Sequence, residues 1–159
     1  TPPHLHFGIY TSEGAVDPLP FVDPLIPAVP AINSDIAKLN ATLRTLNRSV
    51  EVADNQQFLN PESLKQSTVV RVLAAVANQY KIELPDGKIA YVSNKSVVET
   101  KPINTRKIAA ANQALLDYPN TVAGVKATLN VGQTVNVLGN FEDFQLVSTT
   151  DGKVGWLIL

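Results

Sequence analysis

The only two histidines of the chain stand two apart, as His4-Leu5-His6, followed by Phe7-Gly8-Ile9-Tyr10. On a strand, alternate side chains share a face, so His4 and His6 project together while Leu5 and Phe7 turn towards a core. That geometry suits a metal ligand placed beside a general base. Catalytic zinc takes three protein ligands and keeps a fourth position for a water, whose proton a nearby base removes. The chain shows at most one or two of the groups such a site needs. A second set of candidates is aromatic: Tyr118, Phe141, Phe144 and Trp156 late in the chain, with Tyr80 and Tyr91 before them. Aromatic side chains on a small β domain either line a shallow groove with polar tips or fill the core. Asp117 and Asp143 stand close to this set in sequence and are the candidates to receive a cationic ligand group, such as a free amine.

Composition narrows the partners. Thirteen basic residues against fourteen acidic ones give a formal charge of -1, which provides no electrostatic reason to expect nucleic acid or an anionic membrane surface. No apolar run approaches the roughly 18 residues of a membrane helix, so no membrane span is expected. The absence of cysteine removes disulfides and thiolate metal sites. Methionine is absent as well, so Thr1 is not expected to be a translated start.

The elements that position these residues follow from punctuation and period. Pro18, Pro20, Pro24, Pro27 and Pro30 fall within thirteen residues, and Leu19 to Ala31 reads as a semi-rigid connector. Its overlapping P-x-x-P spacings could in principle dock in a groove of the same chain, but such spacings arise by accident in any proline-rich connector, and the segment reads as a stiff spacer. Next, Asn33 or Ser34 is placed to cap a helix whose apolar positions Ile36, Leu39, Leu43 and Leu46 recur at three- and four-residue steps. From about Ser49 the pattern changes to short runs rich in Val, Ile and Thr, separated by turn signals. Within them lies a repeat. Val70-Arg71-Val72-Leu73 through Asp86-Gly87-Lys88-Ile89-Ala90-Tyr91-Val92 aligns with Val135-Asn136-Val137-Leu138 through Asp151-Gly152-Lys153-Val154-Gly155-Trp156-Leu157 at a constant 65-residue offset. Each D-G-K reads as a hairpin turn whose glycine supplies a positive φ.

Two resemblances bear on function. Pro3-His4-Leu5-His6-Phe7-Gly8-Ile9, followed by Val16-Asp17-Pro18-Leu19, resembles the end of the lysostaphin-like zinc peptidoglycan endopeptidases. The resemblance implies zinc as cofactor, His6 as a zinc ligand and His4 as the catalytic histidine. The family's upstream histidine and aspartate ligands have no counterpart here, so the chain by itself is expected to be inactive. The series Ala114-Leu115-Leu116-Asp117-Tyr118-Pro119, Leu129-Asn130-Val131-Gly132, Val135-Asn136-Val137-Leu138 and Gly155-Trp156 is similar to bacterial SH3 domains. Such domains are commonly appended to wall hydrolases, and the resemblance implies a peptidoglycan peptide or cross-bridge as partner. Phe144-Gln145 stands where eukaryotic SH3 domains carry paired tryptophans.

The expected fold is mainly β: two small SH3-like β-barrels in tandem, preceded by a proline-rich linker and one short helix. The expected division is a peptidase remnant over 1–22, linker and helix over 23–48, and SH3-like domains over 49–101 and 102–159. The expected function is the wall-targeting part of a secreted or periplasmic zinc endopeptidase in the cell envelope. The alternative is a non-catalytic wall-binding, scaffold or autoregulatory module.

Overall fold

The β-branched runs after residue 40 form strands, and the apolar series expected to be a helix contributes one of them. The computed structural model describes residues 8–12, 14–22, 30–47, 49–50 and 63–159. The chain divides into two units, Thr1–Ala31 and Ile32–Leu159.

In the first unit, β1 (Ile9–Thr11) and β2 (Gly14–Val16) form an antiparallel hairpin with Ile9 opposite Val16. One helical turn follows, α1 (Leu19–Val22), where a proline-stiffened connector was expected. Pro20 is tolerated because the first amides of a helix have no intrahelical acceptor. The Asp17 carboxylate accepts from the Leu19 N–H at 2.9 Å and so holds the turn's start. Pro24 and Pro27 of the P-x-x-P segment lie outside the described residues.

In the second unit the helix expected from Asn33 to Leu46 is replaced by a single 3-10 turn, Ile36–Lys38, and a strand, β3 (Thr42–Thr45). Asp35 is the cap, its carboxylate accepting from Ala37 N–H at 2.9 Å. Ser34 is buried instead, donating to the carbonyls of Ala77 and Gln79. Leu43 is 1% exposed, while Ile36, Leu39 and Leu46 lie open to solvent, so the four do not share a face. The burial alternates, with Leu43 and Thr45 inside and Thr42 outside, which is the period of a strand.

The remaining strands are β4 (Ser49–Val50), β5 (Leu64–Lys65), β6 (Val69–Val76), β7 (Gln79–Glu83), β8 (Ile89–Ser93) and β9 (Val97–Glu99). They continue with β10 (Asn104–Lys107), β11 (Gln113–Leu116), β12 (Val125–Leu129), β13 (Thr134–Phe141), β14 (Phe144–Thr149) and β15 (Val154–Ile158). Two multi-stranded antiparallel sheets result, ordered β8-β7-β6-β3-β9 and β10-β13-β14-β15-β11-β12, with β4 and β5 paired separately. The barrels expected from the sequence are therefore open sheets: among the described residues neither ladder closes on itself. Residues 42–45 sit between β6 and β9 with backbone partners on both sides, which explains why strand prevailed over helix there.

The repeat is reproduced in detail. β6 and β13 occupy aligned positions 65 apart from end to end, as do β8 and β15. Each copy carries a bulge at the same place, between Val72 and Ala74 and between Val137 and Gly139. Each D-G-K turn closes alike, with Leu84 N–H on Lys88 O and Thr149 N–H on Lys153 O. Gly87 and Gly152 have φ of 86° and 82°, a region that costs a side chain strain.

Each copy has its own core. Leu43, Val70, Val72, Tyr80, Ile82 and Val92 fill the first, and Ile108, Leu115, Leu129, Val135, Val147 and Leu157 fill the second. A third cluster joins the copies, with Val69 and Leu84 of the first packed among Leu116, Leu138, Phe144, Leu146 and Trp156 of the second. The backbones also meet: Asn140 N–H donates to Ser67 O at 2.7 Å beside a parallel bridge between Thr68 and Asn140. Gly139 makes this approach fit, since a Cβ built there would lie 2.6 Å from Val69 Cγ2 and 2.9 Å from Ser67 O.

Candidate peptide-binding cleft

Strand β11 ends at Leu116, whose partner in the sheet is Trp156 of β15. The next three residues, Asp117-Tyr118-Pro119, leave the ladder and enter the tip of the β11–β12 hairpin. That tip is set by short backbone bonds: Asp117 N–H to Gly124 O at 2.9 Å, Asn120 N–H to Tyr118 O at 2.9 Å, and Ala123 N–H to Asn120 O at 3.1 Å. The Asn120 carboxamide oxygen also accepts from Val122 N–H at 3.1 Å. Tyr118 on this tip is 66% exposed. Trp156 is 7% exposed, belongs to the cluster between the copies and lines the same cleft as Pro119.

Tyr118, Pro119 and Trp156 form one wall of an open cleft of about 800 Å³. Its other wall comes from the first copy, where the chain leaving β7 turns through Leu84-Pro85-Asp86-Gly87. Arg71 and Glu83, opposite each other on β6 and β7, complete that wall. Their ion pair is 3.6 Å long, and Asp86 is paired with Lys88 of the same turn at 3.1 Å. The cleft has the size of a small-molecule or peptide site, and its lining combines the apolar Val69, Val70, Leu138 and Leu146 with the carboxylates of Glu83, Asp86 and Asp117.

A smaller cleft of about 290 Å³ includes Phe141 with Lys65, Asn140 and Gln145 in its lining. The Asn140 side-chain oxygen is buried there without a hydrogen-bond partner.

Of the residues singled out from the sequence, the structure gathers two in the larger cleft, Tyr118 and Trp156, together with Asp117. Phe144 is buried between the copies and lines neither cleft. Tyr80 is a core residue, 1% exposed, and its hydroxyl donates to Asp35 O at 3.1 Å, so it offers no face to a ligand. Tyr91 is half-buried opposite Lys81, and Asp143 lines neither cleft. His4 and His6, expected as catalytic histidine and zinc ligand, lie outside the described residues. Among the described residues no three His, Cys, Asp or Glu side chains are grouped to hold a metal. With two histidines in the whole chain, the donor set falls short of the zinc site that the resemblance implies.

The first-copy wall was not foreseen. Asp86-Gly87-Lys88 reads in sequence as a hairpin turn and nothing more, and its place opposite Tyr118 depends on how the copies pack. No local signal marks it, since Pro85 stands where a tight turn ordinarily takes proline, with Gly87 N–H closing on Leu84 O at 2.8 Å.

No family model matches the chain, and no curated protein does. Solved structures similar to it include two from Trichomonas vaginalis. NlpC2 overlaps it with a TM-score of 0.38 at 13% identity, over 76% of this chain and 46% of that one. NlpC1 overlaps it with a TM-score of 0.39 at 11% identity, over 82% and 47% respectively. The chain thus spans just under half the length of each, and an overlap of this quality carries no argument for shared activity, which leaves the function to the geometry of the cleft.

Proposed function

We propose that the two repeats form a non-catalytic, SH3-type binding module of the bacterial cell envelope, and that it holds an extended peptidoglycan peptide in the cleft between the copies. The observation that carries this reading is Tyr118. A large aromatic side chain is kept two-thirds exposed by a well-bonded turn, at the mouth of an open cleft with Pro119 and Trp156 beside it. Rigid aromatic surface of this kind binds an extended chain with little loss of side-chain entropy. The order of elements supports the SH3 comparison. In the second copy strand β10, the protruding β11–β12 hairpin and the β13-β14-β15 meander follow one another. In the first, a 3-10 turn at Asn94–Ser96 leads to β9, which pairs back on β3. That the module serves a zinc peptidoglycan endopeptidase belongs to the same proposal and rests on His4-Leu5-His6 and the V-D-P segment alone.

The test is co-sedimentation of the chain with insoluble peptidoglycan, wild type against Tyr118→Ala, with circular dichroism of both. The side chain is 66% exposed, so the variant should fold normally and bind on the order of five- to thirtyfold more weakly. Failure of the wild type to sediment would reject the wall-binding function.

A further inference from the structure

At one sheet edge the two copies differ. β10 stands in the second copy where β3 stands in the first, and matching backbone bonds fix both. Thr45 N–H donates to Thr68 O, and Thr45 O accepts from Ser67 N–H. Ile108 N–H donates likewise to Gln133 O, and Ile108 O accepts from Gly132 N–H. Yet β3 has neighbours on both sides, β6 and β9, whereas β10 has β13 alone. In the first copy Leu46 N–H reaches Ser96 O at 2.8 Å across that second side. Its counterpart, Ala109 N–H, has no acceptor among the described residues. Arg44 lies two residues before Leu46 and turns its backbone the same way, and Lys107 is its counterpart.

An open edge is a template for a further strand. A second copy of the same edge suits it poorly: Asn104-Thr105-Arg106-Lys107 carries two cations and no acid, so self-pairing would set like charges together. Neither cation has an ion pair among the described residues, and Arg106 keeps one hydrogen bond, to Gln145 Oε1 at 2.9 Å. What the open place accepts is indicated by β9. Val97 lies opposite Thr45 and is buried, and Glu99 lies opposite Leu43. The corresponding places on β10 are Ile108 and Arg106.

We propose that the outer edge of β10 is a docking site for an extended acidic segment of a partner protein, added as an antiparallel strand in the place that β9 takes on β3. The segment carries an apolar residue opposite Ile108 and a carboxylate opposite Arg106. Backbone bonds to Lys107 and Ala109 supply the affinity, and the alternating side chains set the register. β10 and the β11–β12 hairpin stand at opposite ends of the sheet order, and no β10 residue lines the larger cleft. The docking site is therefore independent of what that cleft binds.

The probe is a capped synthetic peptide with the sequence of residues 94–101, titrated into the isotope-labelled chain and followed by NMR shifts and amide exchange. Shifts and slowed exchange should centre on residues 104–109, with Lys107 and Ala109 protected most. Glu99→Lys in the peptide should weaken binding on the order of twofold to fivefold at low salt. Arg106→Glu in the chain should weaken the parent peptide by a like factor and restore the Glu99→Lys peptide. N-methylation of the peptide at the place of Val98 removes a ladder bond while keeping every side chain, and should abolish the protection. Equal binding of the methylated peptide would overturn the docking site, and so would shifts at Thr42–Thr45 or around Tyr118 instead. No change at about 1 mM peptide would overturn it as well. Protection of residues 104–109 that grows with chain concentration alone would assign the edge to a second copy and reject the acidic partner.

Discussion

Replacing Gly139 by alanine tests whether the two repeats are one packed body. The added methyl would stand 2.6 Å from Val69 Cγ2 and 2.9 Å from the carbonyl oxygen of Ser67. The first obstacle is a valine only 4% exposed, stiff at χ1 and packed in the cluster between the copies. The second is backbone, and it is already engaged by Asn140 N–H at 2.7 Å. Neither yields cheaply, so the cost is that of overpacking a buried site, about 1–3 kcal/mol. With a urea dependence of about 1–3 kcal/mol per molar for a domain of this size, the unfolding midpoint should fall by on the order of 1 M. The assay is urea denaturation followed by circular dichroism, with Val131→Ala, at a 60% exposed position, as a control expected to stay within about 0.5 kcal/mol. Trimming the obstacle should recover part of the loss, so Val69→Ala and Gly139→Ala should couple favourably by about 0.5–3 kcal/mol in a double-mutant cycle. An unchanged midpoint in Gly139→Ala, or strict additivity in the cycle, would refute the close approach of the copies. Peptide binding should fall alongside stability, because Val69 and Leu138 of this junction also floor the cleft.

Two further outcomes follow from particular residues. Leu43→Ala should cost about 2–5 kcal/mol by urea denaturation, and Leu46→Ala should cost little, since the first is 1% exposed and the second 43%. Equal costs would point back to a helical face shared by the two. In the second D-G-K turn, the Thr149 hydroxyl first and the Lys153 ammonium second hold the Asp151 carboxyl below the usual carboxylate range. A depressed folded-state pKa gives stability that is present above the unfolded value and lost as pH falls through the folded one. An NMR titration should therefore find the Asp151 midpoint lower than that of a free aspartate, and lower still than in Thr149→Ala; a midpoint unmoved by the Thr149 substitution would exclude the hydroxyl as the main cause.

Local patterns carried much of this protein in advance. The 65-residue repeat, the β-rich runs at Val70–Leu73 and Val135–Leu138, and the paired D-G-K turns were legible because a glycine turn and a two-residue alternation are short-range constraints. Tyr118, Trp156 and Asp117 were legible as candidates because an aromatic and an acid at a turn are conspicuous wherever they lie. The helix expected from Ile36 to Leu46 failed for the complementary reason. Four apolar residues at three- and four-residue steps fit a helix, but only Leu43 has a core to enter, and the backbone of Thr42–Thr45 is drawn into a sheet by strands that lie far away in sequence.

Tertiary structure also decided which aromatics could meet a ligand. Tyr80 and Tyr118 are the same residue type near turns, yet one is enclosed by Leu43, Ile82 and Val92 and the other stands on a hairpin tip. The composite character of the cleft lay beyond the sequence altogether. Leu84-Pro85-Asp86 shares a cleft with Tyr118-Pro119 because Val69, Leu84 and Gly139 bring two copies of one pattern into contact. A contact between copies depends on the shape of both surfaces at once, which no window along the chain contains. The sequence by itself determined the repeat and its turns, and the packing of one copy on the other made the cleft.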